Sequence, residues 1–305
     1  MKNNSWLWRL GTAVLVVGSI LYTATANRPA TSATKRKDDE EPDAVLPEYR
    51  QVFDANPIIP DGWTFGVVWS TIYAGTAAYV VHQAFPSQLY NRRYRNAAPW
   101  LAISYVLNAV FGRLFSDPRV ESMIGSDLVT KASLPVALTL HHQLEIGKTK
   151  VKSPEKYLRI PFSLYAGWLT TASVVGTPNL LLNLKIWKPD PRRDTPVFIG
   201  VLGATTAVAY SVARKLNDPW YLLPFVAGLA GISTKQYGKN NAVALSAAAF
   251  SMVLTGVLVK WLPRGKFEPL QRRMEDIDVV RESEVLWLDD EDSNEEAESF
   301  SYTSI

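Results

Sequence analysis

Two charged side chains, Asp127 and Lys131, stand in an otherwise apolar stretch of this 305-residue chain. Four residues is about one helical turn, close enough for the two to pair, and an ionisable pair at membrane depth marks an ion or substrate path. If the span holding them begins later, the same two residues are interfacial, and both readings stand on sequence alone. A second set is aromatic. In P-D-G-W-T-F-G-V-V-W-S-T-I-Y, starting at Pro60, Phe65, Trp69 and Tyr73 recur every four residues, with Trp63 just ahead. In R-I-P-F-S-L-Y-A-G-W-L-T-T-A-S, starting at Arg159, Tyr165 and Trp168 are three apart. Such spacing puts rings on one helix face. That face either packs against a neighbouring helix or lines a ligand, and Trp63, at a span end, also suits an interfacial belt. His82, His141 and His142 are the only histidines. One could ligate haem iron axially. His141 and His142 are adjacent, so on a helix they point about 100° apart, and the simpler reading is polar residues at a span end. The chain has no cysteine, hence no disulfide and no thiolate chemistry. It contains no G-x-S-x-G, P-loop or H-E-x-x-H run. An enzyme is therefore the least supported class.

These side chains need elements to hold them. A helix crosses a bilayer with roughly 20 apolar residues. Eight segments approach that length, at 7–25, 62–84, 97–115, 122–144, 160–183, 195–213, 218–234 and 241–262. They predict an all-α, polytopic transmembrane helix bundle, with segments two, five and eight the clearest. Residues 1–26 form either a retained first span, Trp6 to Ala26, or a signal peptide with Lys2 and Arg9 ahead of an apolar core and Ala24-Thr25-Ala26 as cleavage site. The retained span is the favoured reading. Residues 27–61 are a polar loop, 62–185 carry the next four helices, 186–265 carry three more, and 266–305 form an acidic, disordered tail. Pro99 and Pro161 lie near predicted helix starts, where a missing N–H costs least. Pro178, after Gly176, is expected to kink or unwind the fifth helix. Arg113 is expected to snorkel to the interface.

Net charge is +3, but from Glu275 onward there are twelve acids against one base, so the remainder carries about +14. The basic residues fall in blocks between spans, which suits a topology signal and no nucleic-acid face. Lys and Arg are more numerous on the side holding both ends of the chain, which places both termini in the cytoplasm. Ser293, among acids, is a candidate for an acidophilic kinase.

The two aromatic segments carry a family resemblance. The run from Pro60 resembles the loop and second helix of the tryptophan-rich sensory protein (TspO/MBR) family, and the run from Arg159 resembles its fifth helix. Leu107-Asn108-Ala109 resembles the asparagine-bearing motif of its third helix, and ten tryptophans suit the name. The last three predicted spans lie outside the usual five-helix form and look like an extended, eight-span variant. The resemblance implies a five-helix core around a cavity closed by the first loop. It also implies a tetrapyrrole, a sterol or a related lipid as ligand, held for sensing or transport, with porphyrin or haem as ligand rather than required cofactor. The partners it implies are the lipid bilayer, a small hydrophobic ligand and a second copy of the chain. Carried residue by residue, it nominates Trp63, Phe65, Trp69, Tyr73, Asn108, Tyr165 and Trp168. The sequence departs from the pattern at Asp61, Phe111 and Gly176-Thr177-Pro178. The alternative function is an ion- or proton-coupled transporter using Asp127 and Lys131.

Overall fold

In a computed structural model, the described residues are 4–26, 53–117 and 119–267. They form long helices and no strand. We number the long helices α1 (Asn4–Ala26), α2 (Gly62–Ala84), α3 (Arg92–Phe115), α4 (Val120–Gln143), α5 (Ile160–Asn183), α6 (Pro191–Leu216), α7 (Leu223–Gln236) and α8 (Asn241–Trp261). Each falls on one of the eight expected segments. Their starts are written in the sequence. Asp61, Asn91, Asp190 and Asn240 cap α2, α3, α6 and α8 by accepting a backbone N–H, and proline stands in the first two positions of α5, α6 and α7. A capping oxygen fills one of the unpaired N–H groups of the first turn.

By length and composition, four helices are able to cross a membrane: α2, α3, α6 and α8 extended to Arg264. The other four differ for physical reasons. The apolar part of α1 is shorter, Leu7–Thr23. α7 has 14 residues. α4 carries Glu121, Asp127, Lys131 and two histidines. α5, expected among the clearest spans, is rich in hydroxyls and is wrapped by protein instead of lipid. Its neighbours are α2, α4, α7 and the 3-10 turn Pro219–Leu222, and fourteen of its residues are buried. A helix enclosed by other helices has no need of lipid-grade apolarity.

Two proline expectations are corrected. Pro99 lies well inside α3, which begins at Arg92 rather than near residue 97. Asn91 and the Arg93–Glu155 ion pair (2.7 Å) hold that extra turn. Pro178 does not unwind α5, which stays helical to Asn183. Side chains brace the turn around it: Asn56 donates to the Val175 carbonyl (2.9 Å) and Thr177 to that of Ser173 (2.8 Å), on either side of the Val174 carbonyl that Pro178 leaves free. Proline is tolerated in such helices when neighbours satisfy the backbone.

The described residues fall in one compact unit, so the last three helices are not a separate module. Close approach fastens them to the rest. A side chain at Gly167 of α5 would collide with the Tyr221 carbonyl, and one at Gly231 of α7 would collide with Thr64 of α2. Thr170 meets the Tyr221 hydroxyl at 2.7 Å. His141, read from the sequence as a polar residue at a span end, is buried and pairs with buried Asp218 at 2.9 Å. That pair ties α4 to the α6–α7 connection. Between α4 and α5, Arg159 donates to the carbonyls of Leu144 (2.8 Å) and Thr149 (2.9 Å), and burial lowers its pKa from the ordinary value. At the same end of the bundle, Arg9 of α1 donates to the carbonyls of Gln88 and of Leu89 (2.8 Å). The described residues also run two positions past the expected tail boundary. Phe267 is buried, and its N–H donates to the Asn217 side chain at 2.6 Å. Ser293 and the acidic run lie outside the described residues.

Candidate functional site

Six of the seven nominated residues line one cavity of about 580 Å³. α2 supplies Phe65, Trp69 and Tyr73, α3 supplies Asn108, and α5 supplies Tyr165 and Trp168. The four-residue repeat on α2 turns its three rings to one side, as the pattern requires. There they interlock. Trp69 stacks on Tyr73 (centroids 5.0 Å apart) and lies 6.2 Å from Tyr165. Trp168 is edge-on to both Phe65 (5.3 Å) and Trp69 (6.4 Å). Offset and edge-on pairs are the favourable geometries for aromatic quadrupoles. The wall is therefore fixed by ring contacts between two helices that are about a hundred residues apart in sequence.

Trp63 is the exception. It is 45% exposed, lies outside the cavity, and its indole N–H points to the Thr234 hydroxyl of α7 at 3.4 Å. The reason is angular: two residues before Phe65 is about 200° around the helix. Trp63 helps dock α7 against α2.

Polar groups are few, and each has a defined place. The Asn108 side-chain oxygen accepts from the Tyr73 hydroxyl (3.1 Å) and from Thr23 (3.5 Å). Among the described residues no acceptor takes the Asn108 amide hydrogens, so that group has donors in reserve. At the loop side of the cavity, Lys235 of α7 donates to the Phe53 carbonyl (2.9 Å) and lines the cavity beside Ile59 and Pro60. An ammonium has three donors, so two remain for another partner. No histidine is among the cavity-lining residues.

Asp127 and Lys131 stand to one side. Asp127 lines a smaller annex of about 90 Å³ that shares Phe65, Phe111, Thr130 and Ala172 with the main cavity. The expected ion pair is not formed among the described residues. Both side chains lie against Gly176 of α5, where a β-carbon would stand 2.6 Å from the Asp127 carboxylate and 3.9 Å from Lys131 Nζ. That nitrogen is buried and has no hydrogen-bond partner among the described residues.

Sequence reasoning missed several lining residues. Thr23 on α1 and Phe111 on α3 had a signal, since Phe111 is one turn beyond Asn108. Phe53, Ile59 and Pro60 come from the connection before α2, and Lys235 from a helix outside the expected core. The resemblance implied a first loop closing the cavity without naming its residues, and Lys235 has no local pattern, because only tertiary packing brings it to the cavity.

Comparison with known proteins gives a family. A family model described as TSPO-like protein matches residues 14–260, which covers α1 from residue 14, all of α2 to α7 and nearly all of α8. No curated protein and no solved structure matches this chain.

Proposed function

The chain belongs to the TSPO-like protein family, and on that premise we propose that this membrane protein binds a hydrophobic, ring-bearing ligand in the cavity between α2, α3 and α5. The ligand class is a tetrapyrrole or a sterol- or lipid-like molecule, held for sensing or transport. The observation that carries the reading is the convergence of Phe65, Trp69, Tyr73, Asn108, Tyr165 and Trp168 on one cavity of about 580 Å³. That volume falls within the range of small-molecule sites, roughly 300–1,000 Å³, and the wall is mostly aromatic with a few polar handles, as such sites are. Asn108 suits an acceptor on the ligand, and Lys235 suits an acidic group near the loop.

The test is a porphyrin titration of the purified protein in detergent. Saturable quenching of tryptophan fluorescence is the expected result, with weaker binding for Trp69→Ala. No saturable binding of any porphyrin or sterol overturns the reading.

Coupled transport is the second reading, and one observation favours it: Asp127 lines an annex that shares wall residues with the cavity, beside Lys131, whose Nζ has no hydrogen-bond partner among the described residues. Gradient-driven porphyrin uptake into proteoliposomes is the measurement. Loss of uptake in Asp127→Asn with binding retained supports coupling, and unchanged uptake removes it.

A further inference from the structure

A second, larger opening of about 780 Å³ lies on the other side of α5, between it and α6. It exists because α6 packs mainly on α8 and the turn Pro219–Leu222 and touches α5 little. Its walls are aliphatic: Val174 and Leu181 from α5 face Val197 and Val201 from α6. The hydroxyls present are already used. Ser173 donates to the Leu169 carbonyl (2.7 Å) and Thr177 to that of Ser173 (2.8 Å). The depth of the cleft therefore offers no free side-chain donor and suits a hydrocarbon chain. Val197, on the α6 wall, is 57% exposed on a helix apolar enough to cross a membrane. The cleft is thus open to whatever surrounds that helix, which is lipid.

One end of the cleft has the opposite character. Where α5 gives way to α6, the chain places Lys185, Lys188 and Arg193 at the opening. Lys185 and Lys188 are exposed, and their ammonium groups make no hydrogen bond or ion pair with the described residues. The acid among the lining residues is consumed by the fold. Asp194 is buried and accepts from the Trp187 indole (3.0 Å), the Asp190 N–H (2.7 Å) and Arg193 (2.9 Å). Trp187, edge-on to Phe198 at 5.6 Å, sits at the same end with its apolar body inward. Tryptophan with flanking cations is the pattern of a membrane–water boundary.

We propose that this cleft is a binding site for one acidic phospholipid from the bilayer, its phosphate at Lys185 and Lys188 and an acyl chain lying between α5 and α6. Basic residues at a membrane surface attract anionic headgroups, and the aliphatic walls take the chain. The site is independent of the aromatic cavity, because it uses the opposite side of α5.

Native mass spectrometry of the detergent-purified full chain tests this, with phosphatidylglycerol, phosphatidylcholine and inorganic phosphate added in separate arms. One retained phosphatidylglycerol is expected, preferred over phosphatidylcholine by on the order of 10-fold. Inorganic phosphate alone is expected to be retained no better than sulfate. The double variant Lys185→Gln/Lys188→Gln should lose the preference, and Val197→Trp, which fills the cleft from an exposed position, should lose the retained lipid. Thermal unfolding checks that both variants fold. Equal retention of the two lipids by the unaltered protein, a preference that survives in the double variant, or lipid that survives Val197→Trp overturns the proposal. Phosphate held as tightly as phosphatidylglycerol also overturns it, because the acyl chain would then contribute nothing.

Discussion

α5 borders two spaces of comparable size, and they differ in nearly every property. On one side Tyr165, Trp168 and Ala172 meet the rings of α2 and the amide of Asn108. On the other, Val174 and Leu181 meet the aliphatic face of α6, with lysines at one end. The first space is bounded by many ring contacts among helices that pack firmly, and its shape is set by those contacts. The second exists where two helices fail to pack. Rigid aromatic walls select a shape, whereas a loose aliphatic slot accepts any chain and selects only by the charge at its end. One helix can serve both because its residues at 165, 168 and 172 and those at 174, 177 and 181 point in different directions.

The largest effect that bears on this contrast is expected at Trp168, the buried ring shared by the cavity wall and the core. Trp168→Ala should cost about 3–5 kcal/mol of stability, read as a fall in unfolding temperature in detergent. A change under about 1 kcal/mol would mean the wall is not fixed by ring packing. Trp69 is only half-buried, so its loss separates binding from folding. Trp69→Ala should weaken porphyrin binding by about 2 kcal/mol, roughly 30-fold, for the lost ring burial and stacking. Lys235→Met sharpens the chemistry of the same space. It should weaken a porphyrin bearing carboxylates by roughly 10-fold and one without acidic groups by under about 2-fold, since a charge-assisted hydrogen bond contributes about 1.5 kcal/mol. The smallest effect is the most pointed. Thr177→Val, on the cleft side of α5, should shift stability by less than about 0.5 kcal/mol and leave porphyrin affinity unchanged, because its hydroxyl serves only its own helix. A marked loss of porphyrin affinity there would join the two spaces into one site.

The aromatic cavity was largely legible before the fold was known. Periodicity placed Phe65, Trp69 and Tyr73 on one side of a helix, and Tyr165 and Trp168 on another, and rings of that size have few places to go. Trp63 was grouped with them by motif, yet the helical angle sends it to α7. Lys235 was illegible because it enters from a helix of 14 residues, far along the chain, whose place depends on glycine contacts at 167 and 231. The cleft was illegible for a different reason. A gap is a property of two helices that do not meet, and no residue type announces it. Lys185 and Lys188 read in sequence as ordinary loop charges. His141 read as a polar span end, and its buried partner Asp218, distant in sequence, had no local signal. Charge within a span also misled: Asp127 and Lys131 have the spacing of a pair, but each turns to the space left by Gly176.

The account rests on the aromatic cavity being a ligand site distinct from the far side of α5. The most direct measurement is a porphyrin titration followed by porphyrin absorbance, run in parallel on the unaltered protein, Trp69→Ala and Val197→Trp. The account predicts saturable binding by the unaltered protein, a roughly 30-fold loss for Trp69→Ala, and binding by Val197→Trp that matches the unaltered protein. Equal affinity in all three proteins, or loss in Val197→Trp with none in Trp69→Ala, would contradict it.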